Sequence, residues 1–142
     1  MKKLLIMTTF VAAIACAASA QKLDASKVPA SVKTSFAKKY PGVIAKWEKE
    51  DGKYEANFKQ DSKTISAMFE PNGTFTESET DIKVADLPAT VLSYVKEHYK
   101  DKTIKEGAKI TKADGTVNYE AEVNGKDVIF DANGKFLKEV KD

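Results

Sequence analysis

Two residue types that carry much of protein chemistry are nearly missing from this chain of 142 residues: it has one cysteine and no arginine. The cysteine, Cys16, lies in an N-terminal apolar run, so the chain from Gln21 onward has none. That excludes a thiol nucleophile, a thiolate metal site and a disulfide staple from this part. Without arginine there is no bidentate clamp for phosphate or carboxylate. One histidine, His98, cannot build a multi-histidine zinc site. The seven glycines are scattered singly, which leaves no glycine-rich phosphate loop. An excess of either charge is missing too. Setting Lys2 and Lys3 aside leaves 21 lysines against 21 Asp plus Glu. A balanced surface has no basic footprint for nucleic acid and no polybasic patch for a membrane.

The first twenty residues form a unit of their own. Lys2 and Lys3 supply a positive start, Leu4 to Ala15 is uncharged and mostly apolar, and Ala18-Ser19-Ala20 gives small residues before Gln21. This is the pattern of an export signal cleaved after Ala20, and it places the protein in the periplasm or outside the cell. A membrane span needs about 20 predominantly apolar residues, and this run dilutes into Ala and Ser. Ala13-Ile14-Ala15-Cys16 is a poor lipoprotein motif, since a large aliphatic residue belongs at position 13. Cys16 therefore reads as a small apolar residue of the signal core, and no lipid anchor is expected.

What remains states its pattern twice. Val28, Val32, Phe36 and Tyr40 recur every four residues, and so do Leu87, Val91, Val95 and Tyr99, each set one stripe of a helix. Pro29 and Pro88 suit the first turn of these helices, and Ser26 suits a cap upstream of the first. Pro41-Gly42 ends the first helix. Strand-like runs follow at Ile44–Glu50, Lys53–Lys59, Lys63–Glu70 and Thr74–Thr80, and again at Ile104–Lys112, Thr116–Val123, Lys126–Asp131 and Lys135–Val140. Asp51-Gly52, Asn72-Gly73, Asp114-Gly115, Asn124-Gly125 and Asn133-Gly134 fill gaps between them as turn signals. Gln21 to Lys27 reads as a polar lead-in, and Thr80 to Asp86 as a link between the copies.

The fold class is therefore α+β: two tandem repeats, residues 21–82 and 83–142, each a helix followed by a four-stranded antiparallel meander. One unit of about 60 residues is marginal alone. Two that share a core or join edges into one sheet solve this, with the helices on one face and the other face toward solvent. Tyr54, Phe69, Tyr119 and Phe130 belong to the helix-covered face by alternation. The open face would carry Lys53, Glu55, Asn57 and Lys59 from one repeat and Asn118, Glu120 and Glu122 from the other. Met68 and Ile129 are its apolar residues at matched positions. Trp47, the only tryptophan, aligns roughly with Ile110; it reads either as core or as an anchor on the open face.

Catalytic and metal readings have little support. His98 falls near a helix end, where it favours the dipole. Glu77, Glu79 and Asp81 put three carboxylates on one strand face, which fits a weak calcium site or, better, an edge strand kept soluble by charge. Asp131-Ala132-Asn133-Gly134 lacks the spaced ligands of a calcium loop and reads as a hairpin. No cofactor or catalytic residue is expected.

In order, these features resemble the PepSY-like, β-lactamase-inhibitor-protein-like family of secreted bacterial proteins common in Bacteroidetes. The residues that carry the resemblance are Val28-Pro29 and Leu87-Pro88, Tyr40-Pro41-Gly42, Trp47 before Asp51-Gly52, Tyr54-Glu55-Ala56, and the closing pairs Phe69…Gly73…Phe75 and Phe130…Gly134…Phe136. Tyr99-Lys100-Asp101 departs from the pattern, lacking the Pro-Gly helix end. The resemblance implies helices packed on one face of an antiparallel sheet and no catalytic residues. The family's namesake inhibits an enzyme through its concave sheet, and PepSY modules of protease propeptides are thought to restrain peptidases. The resulting expectation is a non-enzymatic exported module that binds a protein, with a small-ligand or calcium binder as the alternative.

Overall fold

A computed structural model describes residues 20–141. Residues 1–19, which hold Cys16 and nearly all of the expected export signal, lie outside the described residues. Both four-residue stripes form their helices, α1 (Ala30–Lys39) and α2 (Ala89–His98), and these stripes are what the helices bury. Val32 and Val91 are fully buried, and Tyr40 and Tyr99 close the stripes half-buried. Each helix follows a short 3-10 turn, Ala25–Lys27 or Val84–Asp86. Pro29 and Pro88 stand at the N-cap rather than inside the first turn. Ser26 does not cap α1. It lies in the preceding turn, where its N–H donates to the Asp24 carboxylate at 2.8 Å.

The described residues form one antiparallel sheet of nine strands in sequence order. These are β1 (Gln21–Leu23), β2 (Lys46–Glu50), β3 (Lys53–Gln60), β4 (Lys63–Phe69), β5 (Phe75–Ile82), β6 (Ile104–Lys112), β7 (Val117–Val123), β8 (Lys126–Asp131) and β9 (Phe136–Lys141). The eight anticipated strands are present within two residues at each end. The ninth, β1, replaces part of the expected polar lead-in. Leu23 pairs with Trp47 and packs on the core, which a run of exposed polar neighbours conceals in the sequence. Ile44 lies outside the strand expected to begin with it and is 93 % exposed.

β5 is an interior strand, paired with β4 on one side and β6 on the other. The edge-strand reading of Glu77, Glu79 and Asp81 is therefore corrected. β5 and β6 join the two halves of the chain into a continuous sheet, and the edges are β1 and β9. Glu77 pairs with Lys112 across this junction.

Two apolar clusters fill the space between sheet and helices. One gathers Val28, Val32, Phe36, Trp47, Phe58 and Phe69 under α1; the other gathers Leu87, Val91, Val95, Val123, Val128 and Phe130 under α2. In the first, Phe36 meets Trp47, Phe58 and Phe69 edge to face at centroid distances of 5.3, 5.3 and 6.3 Å. Such pairs contribute about 0.5–1.5 kcal/mol beyond area burial.

Each helix is pinned to a turn of the sheet. The Ser31 hydroxyl donates to the Pro71 carbonyl at 3.0 Å, and the Thr90 hydroxyl donates to the Asn133 carbonyl at 2.9 Å. Close approach at the first contact requires glycine. A Cβ on Gly73, where φ is +89°, would lie 2.6 Å from the Ser31 carbonyl oxygen.

Candidate functional site

The sheet face away from α1 and α2 follows from strand alternation and register. One row of cross-strand neighbours runs Glu48, Glu55, Met68, Glu77, Lys112. The next runs Asn57, Ser66, Glu79, Ile110, Asn118, Asp131. A third runs Asp81, Ala108, Glu120, Ile129, Lys138. Apolar side chains thus stand beside carboxylates across the strands, Met68 between Glu55 and Glu77, Ile110 beside Glu79 and Ile129 beside Glu120, at neighbour spacings of about 5 Å.

Sequence-expected residues fall on this face with one exception. Glu55 and Met68 are direct partners, and so are Glu120 and Ile129. Lys53 and Asn57 flank Glu55 on β3, and Lys53 also makes an ion pair with Glu70 at 3.2 Å. Glu122 lies at the far end, 3.5 Å from the Lys105 ammonium. Trp47 is the exception. It pairs with Ala56 on the helix-covered face and belongs to the core under α1. Its match is also corrected: the residue opposite Ala121, as Trp47 is opposite Ala56, is Gly107 rather than Ile110. Leu87 packs against Gly107 there, 3.2 Å from where a Cβ would be, and an aliphatic side chain fills part of the space tryptophan takes in the first half.

This face is less open than expected. Glu55, Glu77, Glu79, Glu120 and Ile129 are all buried. The sheet is nine strands wide and bulged at Met68/Phe69, Ile104/Glu106 and Ile129/Phe130, so interior side chains are flanked on both sides. Burial sets the electrostatics. It pushes the Glu55 carboxyl up to about 7, helped by the neighbouring Glu50 charge and opposed by hydrogen bonds with Ser66 and Asn57. Burial also raises Glu77, although Lys112, Lys53 and Lys138 pull it the other way.

Several contributors were not anticipated as part of this face. In the sequence Ile110 stands out only as the rough match of Trp47, Ala108 does not stand out, and β5 looks like an edge because it is polar. Only the β5–β6 pairing puts Ile110 beside Glu79. The period-two pattern Glu77, Glu79, Asp81 was the available signal, and it gives a face without saying where the strand sits.

Elsewhere, His98 stacks on Tyr94 at 3.9 Å and donates from Nδ1 to the Tyr94 carbonyl at 2.9 Å, a helix-end role. Among the described residues no three His, Cys, Asp or Glu side chains are grouped to hold a metal ion, and no helix is long and apolar enough to cross a membrane.

Two helices on one face of a long antiparallel meander make a fold like that of the BLIP-like proteins. The model of the family described as "Putative beta-lactamase-inhibitor-like, PepSY-like" matches residues 15–65 and 52–138, and the chain belongs to this PepSY-like family. Solved structures of similar fold include a BLIP-like protein from Bacteroides fragilis, 24 % identical, covering 78 % of this chain and 84 % of that one with a TM-score of 0.65. A DUF2874 family protein from Bacteroides uniformis is 17 % identical, with coverage of 78 % and 87 % and a TM-score of 0.70. A "putative periplasmic" protein from Bacteroides eggerthii is 18 % identical, with coverage of 79 % and 87 % and a TM-score of 0.71. Among curated proteins none matches the chain.

Proposed function

We propose that this protein is an exported, non-catalytic module of the periplasm or cell surface that binds another protein through the sheet face opposite its helices. Residues 1–20 act as its export signal, and 21–82 and 83–142 are tandem copies of one ancestral unit. The observation that carries the reading is the matched pair of contacts Glu55–Met68 and Glu120–Ile129 on a face that neither helix covers. Two further observations support it. The family description is inhibitor-like, and each half repeats a 3-10 turn, a helix, four strands and a hydroxyl tether from helix to turn. Inhibition or restraint of an envelope enzyme is the specific role that fits such a surface.

Envelope extract passed over the immobilised exported protein tests this. A partner retained by the wild type and lost with Met68→Asp or Ile129→Asp fits the reading. Retention equal in these variants, or lost only when the exposed surfaces of α1 and α2 are altered, overturns it.

A further inference from the structure

The charges on the second face indicate what kind of partner it receives, an inference that rests on the docking reading above. Carboxylates occupy its interior: Glu55 on β3, Glu77 and Glu79 on β5, and Glu120 on β7. Lysines of the same face lie toward the ends of its rows, as Lys112 and Lys138 do. Glu77 is the telling case. It is 8 % exposed and sits between Met68 and Lys112, yet among the described residues no hydrogen bond or ion pair reaches its carboxylate. Lys112, Lys53 and Lys138 act on it only through their fields, which do not offset its burial. A buried carboxylate is costly until a cation or donor meets it. Apolar side chains interleave with these acids: Met68 next to Glu55 and Glu77, Ile110 next to Glu79, Ile129 next to Glu120.

We infer that this face docks a protein segment whose lysine or arginine side chains alternate with apolar ones, a cation seating against Glu77 and an adjacent apolar side chain against Met68. Both halves of the pattern are needed. Met68, partly exposed in the free protein, supplies apolar surface to bury, while the carboxylates select the sign of the partner and reject acidic segments by like-charge repulsion.

Calorimetric titration of the exported protein with two synthetic peptides tests the inference, one alternating lysine with leucine and one alternating glutamate with leucine. The lysine peptide is expected to bind, to weaken about tenfold as salt rises from about 0.05 to about 0.5 M, and to weaken about tenfold again in Glu77→Lys. The milder Glu77→Gln, checked for native circular dichroism, should weaken it in the same direction, while Glu97→Lys on α2 should not change it. Equal binding of both peptides, no binding of the lysine peptide, or binding untouched by both Glu77 variants overturns the inference. The docking reading fails separately. An envelope partner held through Met68 and Ile129 but insensitive to salt and to Glu77→Lys leaves that reading standing and removes the cationic one.

Discussion

Glu55 faces Met68 across β3 and β4, a carboxylate and a thioether side by side on a surface that no described helix covers. The same arrangement recurs between Glu120 and Ile129 on β7 and β8. Its electrostatic consequence is measurable. The folded-state Glu55 carboxyl titrates near 7, well above its ordinary 4.5. Between these values the folded protein keeps a proton that the unfolded chain has released. Stability therefore falls as pH rises through this window and levels off above it. Glu55→Gln should flatten this slope and stabilise the protein at pH 8 by on the order of 1–3 kcal/mol. Urea denaturation at pH 5 and pH 8 reads it; parallel pH profiles for the two proteins would contradict it.

Trp47 is a core residue, so its loss should act on stability. Trp47→Ala is expected to cost about 3–5 kcal/mol, with intrinsic fluorescence no longer able to follow unfolding because the only tryptophan is gone. Far-ultraviolet circular dichroism is the appropriate probe. A cost below about 1 kcal/mol would mean the indole does not pack between Phe36 and Phe69 as found here.

Gly73 and Gly52 separate two causes of glycine preference. Both have positive φ, but a Cβ at Gly52 meets nothing within 4 Å, whereas at Gly73 it meets the α1 backbone. Gly52→Ala should cost about 1 kcal/mol from backbone conformation alone. Gly73→Ala should cost about 2–4 kcal/mol because α1 must also shift. Equal melting temperatures for the two variants would count against the helix contact.

The β3–β4 turn carries strain that can be relieved. Asp61 and Ser62 both adopt left-handed conformations, with φ of 51° and 63°. The corresponding turn of the second half, between β7 and β8, places Gly125 at the second position after Asn124. Ser62→Gly should therefore stabilise by about 0.5–1 kcal/mol, the strain relieved exceeding the added chain entropy. Thermal unfolding measures this, and a lower midpoint would refute it.

Tyr99 donates its hydroxyl to the Glu139 carboxylate, which also takes the Lys126 ammonium. This cluster ties the end of α2 to the edge strand β9. Tyr99→Phe should destabilise by about 1 kcal/mol, and amide exchange should quicken first along β9. Uniform exchange across the sheet would show that the tie is not local.

Much of this fold was readable because it rests on local periodicity. Four-residue stripes from Val28 and Leu87 specify helices, and alternation such as Tyr54, Ala56, Phe58 specifies strands with a buried side, whatever the rest of the chain does. The turn at Asp51-Gly52 needs only two residues of positive φ. Membership of the PepSY-like family was likewise legible, since its signature is an order of short motifs.

Placement was decided by tertiary structure. A polar strand such as Phe75–Ile82 looks the same at an edge or in the middle, because period two fixes which side chains share a face but not which strand lies alongside. Pairing with β6 put Glu77, Glu79 and Ile110 on a common surface and fused the two halves into one sheet. The same pairing logic assigned Trp47 to the core, gave its counterpart position to Gly107, and recruited Leu23 into a ninth strand. Local sequence fixed the elements through backbone and side-chain periodicity. The candidate binding face arose only when distant strands met, because its chemistry lies in neighbours across the sheet rather than along the chain.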